Sequence, residues 1–508
     1  MKLSSITKNE FALPFILFIV TILSRLPFTS KMLLTMDTAQ YALALDNFDV
    51  VAHQPHPPGY FLYVMAGRLF HLFIPDPNTA LIALSITCSA LAVVVIHDLG
   101  KRMGGAKCGL IAALFAITSP NFWFHGEVAL NYAVEVFLSA TVALLCWRII
   151  HEEDHLVWAL AIFMAITAGV RQSTAVFLLP LCIFAIRKLT ATRYVSATIL
   201  CILATLAWVV PMLRITGVYT YFKALRELLQ STVGRVSVFS NVLERVAFCV
   251  SCTYTQVALS IGAGVAVICL VALYHVFRNR RINNLYYGNT LFMMFWVAPA
   301  LFFFTMIGNH PSVPGFIMIL LPPLVIMLAI SILYLGSEIS LTSQRNTIGI
   351  LTFFLLSMNI LMFVFANTPV SARSIKNHDE TLQVLVKTIR ESTDSDSALF
   401  INNYVYLSLW HLASYFPERT IYQVDASKDN QGKVHQVFYN HEGRIKTAEN
   451  MVLPANIRKY TSISLDDDKS LSAKCGSTLS SVADVIFIAT GSIENLNCVY
   501  PKLDKKIK

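Results

Sequence analysis

The sequence predicts an α-helical polytopic membrane protein followed by a soluble α/β domain. Of its 508 residues, 56% are hydrophobic and only 14% are charged, whereas soluble proteins of this size have about a quarter of their residues charged. Many apolar runs approach the length of about 20 residues that a helix needs to cross a bilayer. The composition then changes abruptly to polar after residue 366.

Eleven segments are predicted to span the membrane. Lys2 and Lys8 precede the first run, and no small-residue cleavage site follows it, so we expect an uncleaved span. With the N-terminus inside, Lys101 and Arg102 lie in an inner loop, as the positive-inside rule requires, although the basic loop 214–250 opposes this orientation. The predicted spans cover residues 11–29, 79–97, 108–122, 131–150, 156–170, 174–187, 194–213, 253–277, 290–307, 315–335 and 347–366.

This topology gives two domains, a transmembrane domain of residues 1–366 and an extracytoplasmic domain of residues 367–508. In the second domain, residues 378–391 have helical periodicity. The segments "SALFINN" and "DVIFIAT" have the apolar character of buried strands bounded by polar turns. We therefore expect a small α/β fold after the last span.

Two outer loops, residues 30–78 and 214–252, are unusually long and contain amphipathic stretches. "DTAQYALALDNF" places Tyr41, Leu45 and Phe48 on one helical face, and "YFKALRELL" has the same pattern. "YFLYVMAGRLFHLF" predicts a further interfacial helix. Helices of this kind lie in the plane of the membrane surface with their apolar side toward the acyl chains.

The net charge of +9 does not indicate nucleic-acid binding, because the basic residues cluster beside apolar spans, where they set topology and contact anionic headgroups. The cysteines are scattered, and their spacing fits no zinc site. We therefore assign no metal ligands and no certain cofactor. Outer carboxylates and histidines would nevertheless tolerate a divalent cation.

Asp37, in "LTMDTAQYALAL", has two interpretations. It can be the N-cap of a helix, with Gln40 completing a capping box. It can also be a functional carboxylate at the membrane surface, held by the helix that it begins. The two interpretations are compatible, because a capped first turn of a helix holds the carboxylate in a fixed position.

Glu127 falls in a very short outer turn, in "HGEVALNYAVEVF". An ionisable residue at that depth is costly and is therefore a functional candidate. Alternatively, Glu127 lies in water at the turn. Tyr132 accompanies it just inside the next span, and Glu135 lies one turn deeper, where it can be a buried polar partner within the bundle.

Arginine side chains could bind a donor phosphate. Arg171 falls at the outer end of a span, and a guanidinium presents a planar set of donors that suits phosphate. Its alternative is to extend toward lipid headgroups. Arg226 and Arg235 in the second long loop have the same two interpretations, anion binding or a solvated amphipathic face.

The stretch "AHQPHPPGYFLYV" interrupts the apolar pattern at residues 52–64. Its prolines stiffen the turn, and its glycine permits a close chain approach or a positive φ. His53, His56 and Tyr60 would then line a cavity at the membrane surface. The histidines could bind a metal or a phosphate, or donate hydrogen bonds to loop carbonyls. His310, in "GNHPSVPGF", lies in a second loop of similar character.

These residues together resemble the GT-C superfamily of polytopic glycosyltransferases, which use polyprenyl-phosphate-linked sugars. The order of the motifs carries the resemblance: an acid after the first span, an H-P-P-G-Y loop and a short G-E-V turn. The segments "AGVRQSTAVFLLPL", "PGFIMILLPPL" and "WHLASYFPERTIYQVD" also look like recurring parts of these proteins. The nearest types are the protein O-mannosyltransferases and the aminoarabinose transferases.

The resemblance implies that Asp37 is the catalytic base or positions the acceptor, and that Glu127 lines the same cavity. Many family members have paired acids in the first loop, whereas Thr38 follows Asp37 here. This departure leaves the acceptor chemistry open.

The expected function is transfer of a sugar, with inversion, from a polyprenyl-phosphate donor to a hydroxyl of a protein, lipid or glycan. The main alternative is a transporter or flippase of lipid-linked sugars. A polymerase or ligase with a diphosphate donor and an inactive scaffold are further alternatives. The absence of an N-x-S/T sequon favours a bacterial inner membrane over the endoplasmic reticulum.

Overall fold

The structure is a computed structural model of the chain. It describes residues 9–151, 153–236, 242–278, 284–337, 341–392, 397–402, 407–424, 437–441, 444–448, 452–453, 457–464, 478–482, 486–492 and 506–507.

The described residues are mainly helical. The α-helices are α1 (Asn9–Arg25), α2 (Met36–Asp46), α3 (Phe61–His71), α4 (Pro77–Gly104), α5 (Ala106–Thr118), α6 (Pro120–Gly126), α7 (Tyr132–Ile150), α8 (Val157–Val170), α9 (Gln172–Ile186), α10 (Ala191–Thr216), α11 (Val218–Val236), α12 (Val242–Ile261), α13 (Gly264–Arg278), α14 (Asn284–Phe302), α15 (Leu321–Ser337), α16 (Leu341–Phe365), α17 (Ala372–Ser392) and α18 (Leu409–Tyr415). A π-helix follows α14 at Phe303–Ile307, and a 3₁₀ helix precedes α15 at Pro314–Leu320.

The strands follow α17. They are β1 (Ser397–Asn402), β2 (Ile421–Val424), β3 (Val437–His441), β4 (Arg444–Ala448), β5 (Val452–Leu453), β6 (Lys459–Ser464), β7 (Thr478–Val482), β8 (Ile486–Ser492) and β9 (Lys506–Ile507).

The chain divides into two compact units. The first consists of Met1–Thr29 and Tyr60–Ile375, and we call it the membrane unit. The second consists of Ser30–Gly59 and Lys376–Lys508, and we call it the loop–tail unit. The start of the first long loop thus belongs to the same compact unit as the tail. The predicted division at residue 366 stays a prediction about topology.

Seven helical segments in the described part of the chain are long and apolar enough to cross a membrane. Two pairs of helices, each bent at a short break, are also long and apolar enough to span when the two helices of a pair are taken as one segment. There are also two shorter apolar helices, Asp154–Val170 and Gln172–Ile186. Each of the eleven predicted spans overlaps one of these segments, which confirms the polytopic helical fold. The structure nevertheless gives seven to nine spans by length and composition instead of about eleven.

Local chemistry accounts for the two bends. Between α5 and α6 the axis turns by 63°. There the Ser119 side chain accepts a hydrogen bond from the amide of Phe122, and Pro120 occupies the first helical turn, where its missing N–H costs little. Between α12 and α13 the turn is 109°. Gly262 has a φ of +56° at that point, and an added Cβ would lie 2.4 Å from Asn359 Oδ1.

Burial separates central from peripheral helices in the membrane unit. The apolar windows of α4 and α7 are 67% and 72% buried within the protein, whereas that of α10 is 17% buried. Peripheral helices therefore present most of their apolar surface outward, as expected for contact with lipid. The fully buried Trp296 of α14 donates its indole N–H to Ser139 Oγ of α7 at 3.1 Å, which satisfies a polar group inside the bundle.

The loop–tail unit contains a seven-stranded sheet in the order β4-β3-β2-β1-β6-β8-β7. β1 pairs in parallel with both β2 and β6. A parallel pair needs a crossover connection, and α18 supplies it between β1 and β2. The predicted strands "SALFINN" and "DVIFIAT" correspond to β1 and β8, and the predicted helix lies within α17, so the expected α/β fold is confirmed.

The interfacial prediction for α2 was wrong. Tyr41, Leu45 and Phe48 are 2%, 4% and 5% exposed, so they face protein and not acyl chains. In the same helix, Ala39 and Ala42 belong to a buried cluster with residues of α17, α18 and the sheet. Helical periodicity shows that a face will be buried but does not reveal its partner. At the end of α3, by contrast, Leu72 and Phe73 are 78% and 81% exposed.

Candidate functional site

Asp37 lies in the first turn of α2, but it is not the N-cap. Thr35 is the N-cap, and its hydroxyl accepts a hydrogen bond from the amide of Thr38 at 3.4 Å. The Thr38 hydroxyl in turn accepts from the amide of Thr35 at 3.0 Å. The predicted capping box of Asp37 with Gln40 was therefore wrong. Capping does not occupy the Asp37 carboxylate, whose side chain is 38% exposed, and an acid in this turn suits the helix dipole.

His56 is the partner of Asp37 in the loop–tail unit. Its Nδ1 lies 3.7 Å from Asp37 Oδ1. Gln40 Oε1 accepts from the backbone N–H of His56 at 3.3 Å and lies 2.7 Å from Nδ1. Because a backbone N–H must point at the amide oxygen, the orientation of Gln40 is fixed, and Nδ1 beside that oxygen carries the ring proton. The N–H edge of His56 thus faces both Gln40 and the Asp37 carboxylate.

His53 is placed differently. Its ring stacks on the indole of Trp410 with the centroids 5.7 Å apart and the planes inclined by 13°. Burial and, to a smaller extent, the nearby His56 lower the pKa of His53 to about 4. His53 is therefore neutral at pH 7 and packs as an aromatic ring. Both His53 and Tyr60 have positive φ values, 55° and 42°, and such strain in non-glycine residues is common at functional sites.

The residues that hold the Asp37 loop were not predicted from the sequence. Asp379 of α17 accepts three hydrogen bonds from the start of the loop: the Ser30 hydroxyl at 2.8 Å, the Lys31 amide at 2.7 Å and the Met32 amide at 3.2 Å. Burial raises the pKa of the Asp379 carboxyl, and these donors oppose the increase. The helical periodicity of residues 378–391 gave no reason to single out this acid.

Glu127 lies in the membrane unit, immediately after α6. It is 0% exposed, so the alternative that it lies in water was wrong. Within the described residues, no group meets the full distance and angle criteria of a hydrogen bond to either carboxylate oxygen, although the Trp123 side chain lies close enough to act on Glu127. The nearby Arg25, also 0% exposed, is the opposite charge that acts on it. A buried carboxylate in this state is costly, and such a cost is typical of a functional position.

Arg25, which the sequence analysis did not select, is held at the end of α1. Its Nη1 donates to the Ile117 carbonyl at 2.9 Å, and its guanidinium lies 5.1 Å from the Trp123 ring centroid. Nε and Nη2 are buried without partners in the described part of the chain. The available sequence signal was a single arginine in the last turn of an apolar span.

Arg171 and Glu135 form a buried ion pair in the membrane unit. Arg171 Nη1 lies 3.3 Å from Glu135 Oε2, and the side chains are 15% and 3% exposed. The Thr174 hydroxyl donates to the other oxygen of Glu135. The guanidinium also lies over the rings of Tyr132 and Phe316, 4.9 Å and 5.3 Å from their centroids. The interpretation of Glu135 as a buried polar partner is thus the correct one.

The remaining predicted residues also belong to the membrane unit. His310 is exposed, and its Nδ1 lies 2.7 Å from Ser312 Oγ in the same loop. Arg226 is exposed on α11. The side chain of Arg235 lies outside the described residues. Tyr60 is half-buried at the start of α3.

The predicted site residues thus fall into two groups. Asp37, His53 and His56 lie in the loop–tail unit, and the others lie in the membrane unit. No three His, Cys, Asp or Glu side chains among the described residues come together as a set of metal ligands. A divalent cation therefore stays a prediction without an assigned site.

Residues 37–194, which include Asp37, Glu127 and Arg171, match the family model described as protein O-mannosyl-transferase TMEM260 N-terminal domain. Comparison with curated proteins gives no significant match.

Solved structures show the same fold. ArnT from Cupriavidus metallidurans in the apo state aligns with a TM-score of 0.55 at 11% identity, covering 96% of this chain and 98% of that one. The same enzyme bound to undecaprenyl phosphate aligns with a TM-score of 0.55 at 11% identity, covering 94% of this chain and 97% of that one. At this identity the likeness shows the fold alone.

An Archaeoglobus fulgidus oligosaccharyltransferase aligns with a TM-score of 0.44 at 12% identity, covering 80% of this chain and 61% of that one, and adds no further argument. The family match over the first loop and the following spans, together with the shared ArnT fold, confirms the resemblance that the motifs predicted. Residues 37–194 thus resemble a protein O-mannosyl-transferase domain, and the chain has the fold of ArnT together with at least seven helical segments, among the described residues, that are long and apolar enough to cross a membrane.

Proposed function

We propose that the enzyme transfers a sugar from a polyprenyl-phosphate donor to an acceptor hydroxyl on the outer side of the membrane, with inversion at the anomeric carbon. The observation that carries the proposal is the placement of Asp37. Its carboxylate is not used as a helix cap, and the N–H edge of His56 faces it at 3.7 Å.

The chemistry requires a base more than an acid. A sugar on polyprenyl phosphate already has a good leaving group, because the departing phosphate is a stable anion. The oxygen of the acceptor hydroxyl attacks the anomeric carbon from the face opposite the phosphate, and Asp37 accepts the proton of that hydroxyl. A positioned carboxylate base contributes roughly 10²–10⁴-fold in rate. The N–H edge of His56 lies beside this carboxylate and holds it in place.

Cations stabilise the charge that develops on the leaving phosphate. Arg171 is our first candidate, because Glu135 and the Tyr132 and Phe316 rings hold its guanidinium in one orientation. Arg226 and Arg235 on α11 are the alternative cations, and Glu127 would line the cavity. The ArnT structure bound to undecaprenyl phosphate supports this class of donor, since the two chains share a fold.

The acceptor and the compartment are proposals of the same kind. The matched family is described as a protein O-mannosyl-transferase, which favours a protein hydroxyl over a lipid or glycan. We place the tail outside a bacterial inner membrane, with the endoplasmic reticulum lumen as the alternative.

The test is the Asp37→Asn variant with a labelled polyprenyl-phosphate sugar and purified protein. We expect sugar transfer to fall by about 10²-fold or more, because the amide cannot act as a base. Asp46→Asn is the matched control, since it removes an exposed carboxylate from the other end of α2, and it should leave the rate unchanged. A fully active Asp37→Asn enzyme would remove Asp37 from the base role.

The same assay separates the alternatives. An enzyme releases polyprenyl phosphate from the labelled donor. A flippase moves the intact donor across vesicles without releasing it, and a diphosphate-dependent polymerase ignores the monophosphate. A scaffold does neither, and it would tolerate replacement of Asp37.

A further inference from the structure

The residues around Asp37 and His56 belong to two limbs of the 30–59 loop. The first limb runs from Ser30 into α2 and carries Asp37, and the second is the 49–56 turn, which carries His56. Within the second limb, Asp49 and Gln54 exchange backbone hydrogen bonds of 2.7 Å. The two limbs meet where His56 contacts Gln40 and Asp37.

Helix α18 of the tail holds the first limb through His411. Its Nε2 lies 3.1 Å from the Leu33 carbonyl, and its Nδ1 accepts from the Ser408 amide at 3.2 Å. Because a backbone N–H points at Nδ1, the proton is on Nε2, which donates to Leu33. The Tyr415 hydroxyl, one turn further on, accepts from the Leu33 amide at 2.9 Å. Leu33 is thus fixed at both of its backbone polar groups.

The adjacent residue of α18, Trp410, holds the second limb. Its indole N–H donates to the Ala52 carbonyl at 3.0 Å, and its ring stacks on His53. Trp410 is 2% exposed and lies in the cluster that also contains Ala52 and the α2 residues Ala39 and Ala42. One short helix therefore contacts both limbs through two consecutive residues, which are separated by only about 1.5 Å along the helix axis.

We propose that Trp410 is a positioning residue for the transfer reaction: it fixes the turn that carries His56 against the helix that carries Asp37. This inference rests on the proposed role of Asp37 as the base. It assigns to α18 of the tail a function in organising the reaction centre, through contacts that all lie within the loop–tail unit.

The physical reason is the sensitivity of proton transfer to geometry. The contact between His56 Nδ1 and Asp37 Oδ1, at 3.7 Å, is near the limit of an ion pair, and a displacement of about 1 Å at a reacting group can reduce a rate by 10²-fold. Trp410 holds the loop at two points in the turn that carries His56. It acts through the Ala52 carbonyl and the His53 ring, three to four residues before His56.

The test compares Trp410→Phe with the wild type in detergent. Phenylalanine keeps an aromatic ring for His53 and loses the N–H that Ala52 accepts. We expect kcat to fall by about tenfold or more, with the donor KM changed by less than about twofold, since binding does not need this geometry.

Tyr422→Phe is the matched control. Tyr422 lies in β2 of the same unit, is 1% exposed and stacks on Phe400 and Tyr439 of the neighbouring strands. A loss of kcat in this control as large as in Trp410→Phe would overturn the inference, because both would then reflect general damage to the tail. So would a Trp410→Phe enzyme whose kcat is within twofold of the wild type.

A second comparison detects action through His56. In a His56→Ala background, Trp410→Phe should have no further effect on kcat, whereas independent roles would give additive losses. If Trp410→Phe fails to fold, His53→Leu, which removes only the ring stack, is tested with the same outcomes. An active Asp37→Asn enzyme would refute the proposed function. An inactive Asp37→Asn enzyme combined with an unaffected Trp410→Phe enzyme would refute this inference alone.

Discussion

Replacing Arg171 by methionine should separate its structural role from its proposed contact with the donor phosphate. Methionine keeps much of the side-chain volume but removes the charge that pairs with Glu135 at 3.3 Å. The Glu135 side chain is 3% exposed, so the change leaves a carboxylate inside the bundle with the Thr174 hydroxyl as its one remaining hydrogen-bond donor among the described residues.

The expected cost is large. Removing one member of a buried ion pair destabilises a protein by about 3–5 kcal/mol, because the remaining charge stays desolvated. The lost cation–π contacts with Tyr132 and Phe316 add about 0.5–2 kcal/mol in total. Adding Glu135→Gln removes the uncompensated charge, so the double variant should recover about 2–3 kcal/mol of the loss.

The assay measures thermal unfolding and donor binding for the two single variants and the double variant, each in the same detergent. Arg171→Met should be the least stable protein, and the double variant should unfold closer to the wild type. If Arg171 contacts the donor phosphate, the double variant stays at least about tenfold weaker in donor binding, since no cation has been restored. Equal stability of Arg171→Met and the double variant would refute the ion-pair reasoning, and wild-type donor affinity in the double variant would refute the phosphate role.

Two further predictions concern stability. Burial lowers the pKa of His411 to about 3. Below about pH 6.5 the unfolded chain therefore binds a proton at this histidine that the folded chain does not bind. The contribution of His411 to the free energy of unfolding is complete above that pH and should fall by about 2 kcal/mol at pH 5. His411→Gln should reduce the drop in melting temperature between pH 7 and pH 5, and an unchanged drop would contradict the assignment. A Cβ on Gly126 would lie 2.9 Å from Ser89 Oγ and 3.1 Å from Arg25 Nε, so Gly126→Ala should cost about 1–3 kcal/mol in thermal unfolding. Gly349→Ala, with no atom within 4 Å of its added Cβ, should cost nothing, and equal effects of the two changes would contradict the prediction.

The sequence predicted the helical spans well because length and hydropathy are strong local signals. It did less well where a helix breaks, since the bends at Ser119 and Gly262 depend on how neighbouring groups pack. The sequence predicted the apolar face of α2 correctly, but it predicted that this face contacts lipid acyl chains. Only the three-dimensional structure shows that Ala39 and Ala42 pack against residues of the tail.

The candidate site was predicted in part. Chemistry-bearing residues such as Asp37 and Glu127 stand out against an apolar background, so their selection required no structure. The supporting residues could not be found, because Asp379 contacts Ser30 across 349 residues of sequence. Capping was misassigned by two positions, since Thr35 and Asp37 are both good N-cap residues and local sequence does not decide between them.

The pairing of the first loop with the tail has a consequence for biogenesis. Ser30 leaves the ribosome long before Asp379, and at about 5–20 residues per second the interval is roughly 17–70 s. Throughout that time the nascent segment around Asp37 lacks its native support, so the enzyme cannot mature until translation has nearly finished. Chains that stop before α18 would insert their spans and yet never assemble the turn beside His56.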